Sequence, residues 1–261
     1  MHEIIMTEKI SIKQIIDELD RLLGHNDYAA AQVYLENWIR EAQARGDMSA
    51  KLSLLNEMMG LCRKVGKRDE AYDAAEGALA LCAELNLSGS VTEGTTCVNA
   101  ATVYKSFDDA DRALPLYRRA RSIYEQRLDR YDSRLGGLYN NMALALVDMR
   151  DFENAYELYR RALEVMSNNR YGQLEMAITY LNMANAKEAE LGLVEADEYI
   201  NECIDRAREL LDTPDIPRNG YYAFVCEKCA PTFGYYGYFL DEREYSRRAQ
   251  NIYSGGDNEG N

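Results

Sequence analysis

Three asparagines, Asn99, Asn141 and Asn182, recur 42 and 41 residues apart. A carboxamide offers two donors and one acceptor. An asparagine at every repeat could therefore bind the backbone N–H and C=O groups of an extended peptide with little regard for its side chains, or hydrogen-bond to neighbouring helices and to water. Asn56 and Asn185 stand close to the same series. Arg63, Lys64 and Lys105 form a small basic group inside an acidic chain, able either to hold a carboxylate through charge-assisted hydrogen bonds or to remain solvated at helix ends.

Other chemistry is sparse. The histidines are His2 and His25 alone, and no glycine-rich phosphate loop, nucleophile elbow or His-rich metal pattern is present. Cys226-Glu227-Lys228-Cys229 has the spacing of half a zinc site, but no second pair supplies the other two ligands. These cysteines read as structural, with redox chemistry or an intermolecular metal site as the alternative. The expectation is a non-enzyme with no cofactor and no metal.

The elements that position these residues are amphipathic helices in pairs. Between Leu138 and Leu163, apolar residues recur every three or four positions on either side of a polar turn, Arg150-Asp151. Ala71, Ala113, Ala155 and Ala196 each open a second helix, spaced 42, 42 and 41 residues apart. Twelve residues before them stand Met59, Ala101, Ala143 and Ala184, and seven after them Ala78, Ala120, Ala162 and Cys203. Small or aromatic side chains at these points let two helices touch closely.

This pattern, with Tyr139, Met142, Ala143, Leu146, Ala155, Tyr159 and Ala162 in its best copy, resembles the tetratricopeptide repeat. The 42-residue period and the run from Ala113 to Ala120 resemble the kinesin light chain type of that repeat. The closing proline of the motif is replaced by Glu125 and Ser167, and Lys187 stands at a normally apolar position. The resemblance implies an all-α, right-handed superhelical solenoid of five to six antiparallel pairs. It implies too that first helices line a concave groove, where position 6 reads Glu57, Asn99, Asn141 and Asn182, and where Arg63, Lys64 and Lys105 make one end basic. Peptide-binding members of the family use asparagines there.

The expected organisation is a divergent pair over 1–47, four repeats over 48–212, a degenerate C-terminal pair or cap over 213–253, and a disordered tail over 254–261. In the last pair, Gly237, Ala249 and Tyr253 read as positions 8, 20 and 24, with a first helix from about 220 to 240, kinked near Pro231, and a shortened second one. Seven of the twenty tyrosines follow residue 220 and suit either a cap or a homodimer contact.

The net charge of −14 opposes general binding to nucleic acid or anionic membrane. Acids and lysines in the first nineteen residues do not fit a signal peptide, and no apolar run approaches the roughly 20 residues of a membrane span, so a cytoplasmic protein is expected. The function read from these features is a peptide- or protein-binding scaffold. The alternatives are a regulatory helical domain responsive to bacterial signalling peptides, without its own DNA-binding motif, and a metal or redox protein using the C-terminal CxxC.

Overall fold

The computed structural model describes residues 10–255, and among them every regular element is α-helix. Twelve helices run in order as α1 (Ile12–Gly24), α2 (Tyr28–Arg45), α3 (Met48–Lys64), α4 (Arg68–Glu84), α5 (Val91–Ser106), α6 (Ala110–Arg127), α7 (Ser133–Asp148), α8 (Phe152–Ser167), α9 (Gln173–Leu191), α10 (Leu193–Leu211), α11 (Gly220–Tyr235) and α12 (Phe239–Tyr253). They form six consecutive pairs. Beyond Gly255 the expected disordered tail lies outside the described residues.

Two devices stop and restart the chain between helices. A residue in the left-handed region breaks every run except those between α6 and α7 and between α10 and α11: Asn26, Gly46, Gly66, Asn86, Asp108, Arg150, Tyr171, Gly192 or Gly237. A short polar side chain then caps many of the next helices: Asp27, Asp47, Ser90, Asp151 and Asn219 each accept from a backbone N–H two or three residues on. Such a cap stabilises a helix by about 1 kcal/mol. At Arg150-Asp151 the two devices are adjacent, which is why that dipeptide makes so tight a turn.

The core follows the repeat. Leu19, Met59, Ala101, Ala143, Ala184 and Ala230 are buried at one position of the six first helices. Ala31, Ala71, Ala113, Ala155 and Ala196 are buried four residues into five of the second helices. Their small size lets partner backbones approach, and the larger side chains between them, Tyr117, Tyr159 and Ile200 among them, fill the remaining space.

Contacts divide the chain into two compact units, one ending at Arg127 and the other starting at Leu128. In the first, α1, α3 and α5 lie beside one another and α2, α4 and α6 pack outside them. The second repeats this with α7, α9 and α11 inside and α8, α10 and α12 outside.

The last pair corrects the sequence register. Helix α11 ends at Tyr235, Gly237 (φ 87°) forms the turn, and α12 is a full 15-residue helix. The buried position equivalent to Ala143 is therefore Ala230, and Ala249 matches Ala162, so Gly237, Ala249 and Tyr253 each stand two helical turns beyond the positions expected of them from the sequence. The position matching Ala155 is Glu242. A side chain that long fits because Gly234 lies opposite, where a Cβ would collide with the Glu242 carboxyl.

The C-terminal tyrosines tie this pair to its neighbour. Tyr235 and Tyr236 donate to the two oxygens of Glu188 at 2.7 and 2.8 Å, Tyr238 donates to Asn201 at 2.7 Å, and Tyr222 donates to the carbonyl of Leu211 at 3.3 Å. Arg208 adds a two-pronged ion pair to Asp241, with its closer contact at 2.9 Å.

Candidate functional site

In the second unit, α7, α9 and α11 start level with one another. Arg134, Glu175 and Tyr221 each lie nine residues before the buried alanine of their helix, Ala143, Ala184 and Ala230. Together with the loop from Asn169 to Gly172 they line a cavity of about 550 Å³. Its floor is Met166 at the end of α8 and the backbone of Gly137. The loop comes close because residue 172 is glycine: a Cβ there would fall on the backbone carbonyl of Met166. Asn169 fixes the loop by donating to the carbonyls of Tyr131 and Val165 at 2.7 and 2.8 Å.

The cavity carries both charges. Arg134 is gripped by Asp132 through two hydrogen bonds of 2.6 and 2.8 Å, and this pairing holds the Asp132 carboxyl below the usual carboxylate range. The Arg170 guanidinium lies 4.8 Å from the centre of the Tyr171 ring. Burial pushes the Glu175 carboxyl upward, with Lys228 opposing the shift, and the Tyr221 hydroxyl donates to it. Apolar walls, a cation and a half-buried acid in one recess can bind a mixed polar and apolar side chain. They supply no activated nucleophile.

Asn141 lies one helical turn beyond Gly137 and so on the same face of α7; it is half-buried. Asn140 beside it points inward, 6% exposed, and accepts a 3.1 Å hydrogen bond from Asn182 one repeat later. Asn185 accepts from the Tyr236 hydroxyl at 2.9 Å. In the first unit, Asn99 donates to Asn56 at 2.7 Å, and Asn56 donates to the carbonyl of Leu52 and to the buried hydroxyl of Thr96. The asparagines are thus not equivalent: Asn99 and Asn182 hold neighbouring first helices together, whereas Asn141 faces the cavity side.

Arg63 and Lys64 are exposed in the last turn of α3, and the Lys64 ammonium sits 5.2 Å from the centre of the Tyr28 ring. Lys105 is half-buried near the end of α5. Glu57, on the same helix as Arg63, has its carboxyl raised by burial and by the nearby Asp20. Helix α3 therefore carries a half-buried acid as well as its basic end.

Three groove residues escaped the sequence reading. Tyr221, Phe224 and Lys228 lie at successive turns of one face of α11, with Tyr221 47% and Phe224 46% exposed and their rings stacked at 6.2 Å. With the last pair misregistered, they could not be assigned to this face. Ala230, a small residue twelve positions before Glu242, was the available signal.

Cys226 and Cys229 point into the core instead, 0% and 2% exposed, and both thiols are unpaired. Burial pushes Cys229 up to about 12. Neither sulfur reaches a surface where another chain could share a metal, and among the described residues no group of three His, Cys, Asp or Glu side chains could hold one.

A family model for the tetratricopeptide repeat matches residues 138–170. Protein KINESIN LIGHT CHAIN-RELATED 2 of Arabidopsis thaliana is 23% identical over 170 residues, covering 64% of this chain. The chain spans about a quarter of that relative's length, 24%. Among solved structures, BtubC (BKLC) from P. vanneervenii is similar over 97% of this chain and 95% of its own, with 17% identity and a TM-score of 0.55. A repeat protein of Podosopora anserina, built from nearly identical kinesin light chain TPR-like repeats, is similar over 80% of this chain and 97% of its own, with 15% identity and a TM-score of 0.53. The chain thus has a tetratricopeptide-type helical-repeat fold, similar to that of kinesin light chain repeats.

Proposed function

We propose that the chain is a non-catalytic scaffold binding an extended peptide or protein segment along the first-helix face of its second unit. The supporting observation is the convergence of the cavity, the Asn141 carboxamide and the exposed Tyr221–Phe224 pair on helices α7, α9 and α11. A peptide laid across these helices could place one side chain in the cavity and pack another on the aromatic pair, while Asn141 satisfies its backbone. Arg63, Lys64 and Lys105 form a second, charged face on the first unit, and Asn185 extends the second-unit face beyond Asn182. The six unpaired, buried cysteines support a reducing, cytosolic setting.

The test is selection of peptides from a displayed random library against the folded chain, followed by affinity measurements on variants of this face. Peptides that lose affinity on Phe224→Ser, and keep it on substitution of the outward-facing Arg160, support the reading. Peptides indifferent to Asn141, Phe224 and the cavity residues contradict it.

A further inference from the structure

The turn edge of the last two pairs differs from that of the earlier ones. The first two residues of α2, α4, α6 and α8 are Tyr28-Ala29, Arg68-Asp69, Ala110-Asp111 and Phe152-Glu153, none of them a pair of large apolar side chains. In α10 the same places hold Leu193-Val194, and in α12 they hold Phe239-Leu240. These four are 53%, 82%, 58% and 80% exposed, and Leu191 beside them is 49% exposed. The bonds from Tyr235 and Tyr236 to Glu188 hold the two turns side by side. An apolar strip of this kind on a water-facing edge is a contact surface awaiting a partner.

Its surroundings define that partner. From Lys187 to Asp205 there are seven acidic residues and one basic, and from Tyr235 to Arg243 two acidic and one basic. Glu195, Glu198 and Glu202 lie along one exposed face of α10. Favourable interaction of acids with a helix N-terminus accounts for Glu195 and Asp241. It does not account for four large apolar side chains in water. A second copy would set acid against acid, and an anionic bilayer would repel the rim.

We infer that this edge docks a basic amphipathic helix of a partner protein, whose apolar stripe covers Leu193, Val194, Phe239 and Leu240 and whose lysines or arginines face the surrounding acids. This surface is separate from the first-helix face, so either can fail without the other.

The test uses the full chain and three fluorescently labelled model peptides: leucine and lysine at helical spacing, leucine and glutamate at the same spacing, and serine with lysine. The leucine–lysine peptide should bind at least tenfold more tightly than the other two. A Val194→Ser, Leu240→Ser variant, altered only at largely exposed positions, should lose at least tenfold of that affinity with an unchanged circular dichroism spectrum. Equal binding by the leucine–glutamate or serine–lysine peptide would overturn the inference, as would unchanged binding by the variant. So would dimerisation of the wild-type chain, abolished in the variant by sedimentation equilibrium, or binding of wild type but not variant to phosphatidylserine vesicles.

Discussion

Asn182 donates its side-chain amide to the carboxamide oxygen of Asn140, 3.1 Å away and one repeat earlier. Asn99 and Asn56 make the same bond in the first unit at 2.7 Å, so first helices are joined by carboxamides as well as by apolar contact. Removing Asn140 leaves the half-buried amide of Asn182 without its acceptor. Asn140→Ala should cost about 1–2 kcal/mol in urea unfolding, whereas Asn141→Ala, facing the cavity side, should cost under about 0.5 kcal/mol. Equal losses would show that both asparagines are structural.

The periodic core was legible because each pair needs a close helix contact and supplies it with a small residue, from Ala71 to Ala196. The last pair misled for the same reason. There the small residue moved to the other helix, so that Gly234 makes room for Glu242, and a search for alanine on the second helix found Ala249 instead. The cavity was not legible, because Arg134, Glu175 and Tyr221 come from three helices far apart in sequence and the loop at Gly172 closes it. Nor could spacing alone show that Asn182 reaches Asn140 and not Asn141, since that depends on how each helix is rotated against its neighbour.

Gly172 lets the cavity loop pass over Met166, and no side chain fits between them. Gly172→Ala must push a Cβ into backbone, not into a movable side chain. A loss of about 1–3 kcal/mol is expected, read as a lowered urea midpoint. Gly137→Ala, inside α7 where a Cβ meets nothing within 4 Å, should instead stabilise by up to about 1 kcal/mol. A tolerated Gly172→Ala would mean that the loop lies elsewhere.

Burial raises the Glu175 carboxyl above its ordinary 4.5. The folded state therefore holds the proton more tightly than the unfolded chain. Its contribution favours folding below that value and is lost as pH rises through the folded pKa. Glu175→Gln has no proton to lose, so its melting temperature should gain on wild type between about pH 4 and about pH 7. A constant or shrinking difference would contradict this assignment.

All six cysteines are buried, and burial raises the thiols of Cys62, Cys97, Cys203 and Cys229 to about 11 or 12. Thiolate, the reactive form, is then scarce at neutral pH. Titration of the native chain with a thiol reagent at about pH 8 should find no fast thiol, and all six should react after unfolding in urea. Rapid modification of Cys226 or Cys229 in the native chain would revive a redox role for the CxxC pair.

The central claim is that α7, α9 and α11 present a peptide-binding face built from the cavity, Asn141 and the Tyr221–Phe224 pair. Its most direct measurement is the affinity of a library-selected peptide for the Asn141→Ala, Phe224→Ser double variant, with folding checked by urea unfolding. The account predicts at least a tenfold loss of affinity, about 1.4 kcal/mol, with the urea midpoint close to that of wild type. Undiminished affinity in a folded double variant would contradict it.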